Sequence, residues 1–243
     1  MKNFLVEIGR ARFSNTGDIL VHLVNNEIAN NFLNDLINYP HAYVLACLMD
    51  RQIKAERAWI IPFEIKERLG SFKFQDLIEV SKADYIKIFN DLKLHRFNNT
   101  MAIVFFEALE LINVKYGGNA SSIWANEPSS ASVVYRFLEF KGSGLKISTM
   151  ATNILARQFR IPLSDYYSVD ISPDVHIIRV MQRTGLVPLG SDISKIIYKA
   201  REMNPEFPGI IDFSCWEIGQ NWCHPNNPNC KSCILGIECK KII

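Results

Sequence analysis

The chain has 243 residues, a formal net charge of +2 and a hydrophobic content of 48%. That is enough apolar material for one large core or two modest ones, and the charge alone does not mark a dedicated nucleic-acid binder. The apolar run at the N-terminus is interrupted too early for a signal peptide, and the longest later stretch, Met101 to Phe106, is far short of a membrane span, so a soluble, cytoplasmic protein with no membrane partner is expected.

Apolar residues recur at helical spacing in nearly every segment and no run alternates with period two, so the predicted fold class is all-α. In chain order, helices are expected over Ile19 to Ile37, Ala42 to Met49, Lys54 to Leu69, Phe74 to Val80, Lys82 to Leu92, Asn99 to Lys115, Ser132 to Glu139, Leu145 to Phe159, Pro173 to Thr184, Asp192 to Met203 and Ile210 to Gln220. Pro62 is expected to kink or split its helix. Ser81 with Asp84 reads as a capping box, Pro173 suits a first helical position and Gly185 a helix stop. The densest turn chemistry is Tyr116-Gly117-Gly118-Asn119. Trp59, Trp124, Trp216 and Trp222 are read as core packing, and Cys47 and Cys215 as buried thiols.

Three segments carry chemistry. In Phe140-Lys141-Gly142-Ser143-Gly144-Leu145-Lys146, two glycines at a helix entrance let backbone N–H groups approach an anion, a phosphate above all. Lys146 then falls in the first turn of a helix, where the dipole disfavours a cation and so favours the free amine that a nucleophile needs. Between Phe140 and Met203 nine Lys and Arg stand against five Asp and Glu, a local basic excess. The second segment is Asp174-Val175-His176-Ile177-Ile178-Arg179-Val180, whose acid suits a helix start. The third is a set of four cysteines, Cys223, Cys230, Cys233 and Cys239, separated by six, two and five residues. Two disulfides and a four-cysteine zinc site are alternatives there. The reading favoured is an iron–sulfur cluster, because one C-x-x-C flanked by longer unequal arms suits a larger inorganic body than a zinc ion.

Together these motifs resemble, in their order, the endonuclease III group of helix-hairpin-helix DNA glycosylases, from about Tyr43 to Cys239. The resemblance implies two helical domains: a six-helix core over 41–161 that ends with the hairpin, and a second domain from 1–40 plus 162–243 that carries a [4Fe-4S] cluster on the four cysteines. It implies base excision repair by a monomer acting on double-stranded DNA with damaged bases, such as oxidised pyrimidines, or abasic sites, nucleoid-associated in a prokaryote. Lys146 is then the nucleophile that attacks C1′ and forms a Schiff base, and Asp174 the carboxylate that stabilises charge on the sugar. Asp170 is a rival for that role, since Val169-Asp170 is also a family signature and 27 residues separate Lys146 from Asp174, more than in endonuclease III. DNA contacts are implied for Gly142, Ser143 and Gly144, for Gln52 as the residue that fills the vacated stack, for Leu94, His95 and Arg96 as a wedge loop, and for His176. The chain departs from the family at Lys141, where proline is common, and at Ser143, where an apolar residue is common. Alternatives are an 8-oxoguanine-type glycosylase, whose motif shares the Asp174-Val175-His176 form, and a non-catalytic iron–sulfur DNA-binding module.

Overall fold

A computed structural model describes residues 1–14 and 20–243. The described residues form helices and turns with no strand: α1 (Lys2–Ser14), α2 (Glu27–Asn34), α3 (Pro40–Met49), α4 (Ala55–Leu69), α5 (Phe74–Glu79), α6 (Lys82–Asp91), α7 (Asn98–Tyr116), α8 (Ser130–Leu138), α9 (Leu145–Arg157), α10 (Val175–Arg183), α11 (Ile193–Met203) and α12 (Asp212–Asn221). Short 3-10 turns lie at Ala120–Ile123, Pro208–Ile211 and Gly236–Glu238. The all-α expectation holds. No helix among the described residues is long and apolar enough to cross a membrane.

The chain divides into two compact units. One, the hairpin unit, comprises Asp18–Asn126 and Tyr135–Ile147; the other, the cysteine unit, comprises Met1–Gly17, Glu127–Val134 and Ser148–Ile243. The chain changes unit within α8 and again within α9.

The hairpin unit is built around α3, all ten residues of which are buried. Its sequence is apolar on every side, the pattern of a helix surrounded by others. Helices α4 and α7 pack directly on it. Tyr43 of α3 meets Trp59 and Trp124, and Tyr85, Phe89 and Phe105 form a second aromatic group where α6 packs on α7. His41 is buried with its Nε2 2.9 Å from the Phe72 carbonyl oxygen, and burial lowers its pKa to about 4, so it is neutral in the core. The capping box forms as expected: the Ser81 hydroxyl accepts the Asp84 N–H at 3.1 Å and donates to its carboxylate. Gly117 and Gly118, at φ +58° and +80°, end α7.

One expectation for this unit needs correction and another is narrowed. The helix predicted from Ile19 begins at Glu27; Ile19 itself lies outside the described residues. Residues 20–26 stay non-helical because side-chain amides satisfy their backbone: Asn30 Oδ1 accepts the N–H groups of Leu23 and Val24, Asn34 Oδ1 accepts that of Val21, and Asn26 caps α2. Pro62 does not split α4, which runs from Ala55 to Leu69 with the proline buried inside it.

In the cysteine unit the core comprises Leu5 of α1, Ile177, Val180 and Met181 of α10, Ile196 and Ala200 of α11, and Cys215 and Ile218 of α12. Cys47 and Cys215 are buried thiols, Trp59 and Trp124 lie in the core of their unit, and Trp216 and Trp222 pack against this one while partly exposed. Helix α1 was not expected from sequence. It approaches the Pro208–Ile211 turn so closely that a Cβ on Gly9 would lie 2.3 Å from the Ile210 carbonyl oxygen. Helix α10 lies as close to α12 across Gly219, whose added Cβ would be 2.6 Å from His176 Cβ. Helix α10 starts later than expected, at Val175: Asp174 is its N-cap, accepting the His176 N–H at 2.7 Å, and Pro173 stands outside the helix. Gly185, at φ +75°, follows its C-cap as predicted.

Candidate functional site

The hairpin turn is made by Phe140 to Ser143. The Ser143 N–H donates to the Phe140 carbonyl at 3.0 Å, and Gly142 holds φ +83°, the left-handed conformation that a type II turn requires at its third residue. Lys141 takes the second position, where proline is the favoured alternative, and its ammonium pairs with Glu107 at 2.8 Å. A Cβ on Gly142 would meet Arg51 Nη1 at 2.8 Å, so the loop after α3 lies directly behind the turn. Gly144 is different. It is exposed, and a Cβ there would meet nothing within 4 Å. Open space in front of a turn just ahead of a helix is the arrangement in which backbone N–H groups can reach an anion.

Lys146, in the first turn of α9, donates from Nζ to Asp50 Oδ2 at 2.6 Å. The side chain of Asp50 is 8% exposed and that of Lys146 32%. Asp50 is the C-cap of α3. Each charge therefore sits at the helix end whose dipole opposes it, the cation at an N-terminus and the anion at a C-terminus, and pairing offsets both penalties. Sequence reasoning missed Asp50, although an acid closing the apolar run Ala42 to Met49 at the wrong helix end was a signal that a cation had to be near. Cys47, one turn earlier in α3, is completely buried, and burial pushes its thiol far up, which leaves it protonated and inert beside the pair.

Gln52 is exposed and holds φ +57°, a sparsely populated conformation for a residue other than glycine. It projects from the same short segment as Asp50 and Arg51. The three residues expected to form a wedge loop differ in exposure. Leu94 is 0% exposed and His95 4%, so both belong to the core and only Arg96 reaches solvent. The Arg96 guanidinium lies over the exposed ring of Phe97 at 5.1 Å. The His95 ring faces the Met49 and Arg51 backbone, and burial lowers its pKa, so it braces the Asp50–Gln52 segment as a neutral group.

Asp174, partly exposed, lies in the cysteine unit and caps α10 as described. Its neighbour Asp212 is buried, accepting the Ser172 N–H at 2.7 Å and an Asn153 amide proton at 3.4 Å. Burial raises the Asp212 pKa, the Arg157 guanidinium partly offsets this, and the charge of Asp174 adds to it. Asp212 was read only as a helix residue; it fixes the strand of backbone that delivers Asp174. Asp170 is held by Arg201 in a two-pronged ion pair, Nε to Oδ1 at 2.7 Å and Nη2 to Oδ2 at 2.8 Å, so that carboxylate is committed to structure. His176 is wedged between helices: Nδ1 is 2.9 Å from Arg179 Nη2, and its ring packs on Trp216.

Arg179 and Arg183 of α10 grip the start of the cysteine loop. Arg179 donates to the carbonyls of Cys223 and Gly219, and Arg183 to those of His224 and Pro225 at 2.6 and 2.8 Å. Cys223, Cys230, Cys233 and Cys239 all line one small cavity of about 30 Å³. Arg183 Nη1 lies 3.7 Å from Cys223 Sγ, and the Lys241 N–H donates to Cys239 Sγ at 3.3 Å. Among the described residues no three His, Cys, Asp or Glu side chains converge tightly enough for a single metal ion.

No protein-family profile and no curated protein matches the sequence. Solved structures do resemble the fold. A trapped endonuclease III–DNA covalent intermediate aligns over 98% of this chain and 94% of its own with a TM-score of 0.66 and 15% identity. A thermostable thymine-DNA glycosylase aligns over 99% and 95%, at 0.65 and 14%. The 8-oxoguanine glycosylase/lyase of Clostridium acetobutylicum aligns over 88% and 69%, at 0.54 and 14%. The chain therefore has the two-domain helix-hairpin-helix glycosylase fold.

Proposed function

We propose that the protein is a DNA N-glycosylase with abasic-site lyase activity that removes damaged bases, such as oxidised pyrimidines, from duplex DNA. The observation that carries this reading is Lys146: an amine in the first turn of the helix that leaves a glycine turn, partly shielded from solvent, in a fold shared with an endonuclease III trapped covalently on DNA. A lysine that attacks carbon must be oriented and must reach its neutral form.

In this reading the Gly142-Ser143-Gly144 turn binds a backbone phosphate through backbone N–H groups on its open side, the Ser143 N–H being taken by the Phe140 carbonyl. Gln52 fills the place of the extruded nucleotide, whose unstacking costs a few kcal/mol. The Lys146 nitrogen attacks C1′ as the bond to the base breaks, the base leaving with the electron pair. The resulting Schiff base permits β-elimination of the 3′ phosphate. Asp174 supplies negative charge beside the sugar as positive charge builds on it.

The four cysteines fit a [4Fe-4S] cluster. They line one cavity, and two of their sulfurs lie near donors, which supports a cluster held by all four thiolates. Cys223, Cys230, Cys233 and Cys239 would hold the cluster, which would supply a covalent staple for a loop with little core of its own. Iron and acid-labile sulfide near four of each per chain, with broad visible absorption, would support it; a colourless protein with one zinc would overturn it.

The function is tested by borohydride reduction on a duplex bearing one abasic site. A covalent complex that is lost with Lys146→Ala supports the lyase. Tight duplex binding by a cluster-loaded protein with no complex at any pH would instead identify a non-catalytic DNA-binding module.

A further inference from the structure

We infer that Asp50 is the proton acceptor for Lys146, so that the nucleophile is made by transfer within the pair rather than by loss of a proton to solvent; the inference rests on the proposed role of Lys146. The geometry is a direct contact of 2.6 Å between Nζ and Oδ2, with the carboxylate almost wholly withdrawn from water. In the step, an Nζ–H bond breaks and an Oδ2–H bond forms. Ammonium and carboxylate become amine and carboxylic acid, the net charge is unchanged, and the lone pair freed on nitrogen is the one that attacks C1′.

Three features favour this direction. The N-terminal end of α9 opposes the ammonium and the C-terminal end of α3 opposes the carboxylate, so moving the proton relieves both at once. A substrate covering the exposed part of Lys146 removes water that stabilises the ion pair, which shifts the balance toward the neutral pair. Several ionisable neighbours of the pair, all in the hairpin unit, are poor acceptors for the proton. Cys47 faces the pair and is held protonated by burial, and Tyr43 stands beside Cys47. The loop after α3 adds the Arg51 guanidinium, which approaches Gly142, and His95, kept neutral by burial, abuts the same backbone. Glu107 of α7 is engaged by Lys141. Asp174 is left to stabilise charge on the sugar, so the two carboxylates divide two tasks.

The test compares wild type, Asp50→Asn and Asp50→Glu in two assays, after thermal melts confirm that each is folded. The first follows the pH dependence of borohydride trapping on the abasic duplex. With an internal acceptor the wild-type rate is flat from about pH 6 to pH 8. Asp50→Asn must release the proton to solvent, so its rate should rise about tenfold per pH unit over that range, with Asp50→Glu restoring part of the flat profile. The second assay needs no DNA: Lys146 is modified with a neutral amine-directed acylating reagent and quantified by peptide mass spectrometry as a function of pH. Loss of the carboxylate should move its midpoint to lower pH. Parallel trapping profiles in wild type and Asp50→Asn would overturn proton transfer, and identical labelling midpoints would overturn the pairing itself. A labelling shift with no trapping in the wild type would overturn the lyase reading, and with it the transfer step, while identifying the pair as a structural ion pair.

Discussion

Replacing Gly219 by alanine tests how closely α10 and α12 are set. The new Cβ would lie 2.6 Å from His176 Cβ and 3.0 Å from its Cα, against about 3.5–4.0 Å for ordinary carbon contacts. The helices must separate by roughly 1 Å at this point, because the obstacle is partly backbone and no rotamer change removes it. Alanine regains about 1 kcal/mol of helix propensity. Against that stand overpacking, about 1–3 kcal/mol and here at the upper end, and weakening of the Arg179 hydrogen bond to the Gly219 carbonyl, about 1 kcal/mol. The net expectation is a loss of about 1–3 kcal/mol, a fall in Tm of roughly 2–12 °C for a chain of this size. Thermal melts of the two proteins, loaded identically with metal, decide the matter. A variant as stable as the parent, or more stable, would refute the reasoning, since propensity would then outweigh the close approach.

Lowering the pH from about 6.5 to about 4 should destabilise the folded state through His41. Its folded pKa lies below the unfolded value, so the unfolded chain binds the extra proton, and the full shift amounts to about 3 kcal/mol; His41→Gln should flatten this part of a denaturation-against-pH curve. Asp212 acts in the opposite sense. Its raised folded pKa gives stability that is fully present below the ordinary carboxylate value and is lost as pH rises through the folded value, so Asp212→Asn, measured from pH 4 to 8, should reduce that decline. Gly144→Ala should cost no more than about 1 kcal/mol, since no atom obstructs the methyl group, yet should weaken duplex binding measured by fluorescence anisotropy. Leu94→Ala should lower stability by about 2–5 kcal/mol, as a core residue does, with retention of duplex affinity in the fraction that stays folded.

Ten of the eleven predicted helices lie close to their expected places because their apolar residues repeat at helical spacing, and the glycine turn and the cysteine spacing stood out as local patterns. What sequence hid was decided by distant partners. Helix α1 owes its place to Gly9 meeting the Ile210 carbonyl, a contact between residues 201 positions apart. Residues 20–26 are not helical because Asn30 and Asn34 reach back to satisfy backbone that apolar spacing alone would make helical. Leu94 reads like a loop tip, flanked by Lys93 and His95, and only the three-dimensional packing turns it inward. Asp50 and Lys146, 96 positions apart, could not be paired from either segment alone.

The complete burial of α3 has a kinetic corollary. Amide hydrogens in a helix with no exposed face exchange with solvent only when the surrounding unit opens as a whole, so those of His41–Met49 should number among the slowest in the protein. Asp50 is the next residue along. Its carboxylate is thus carried on the part of the chain that rearranges least often, while the backbone departs at once into the left-handed Gln52. A fixed acid and a projecting side chain two residues away divide anchorage from reach within a single turn of chain.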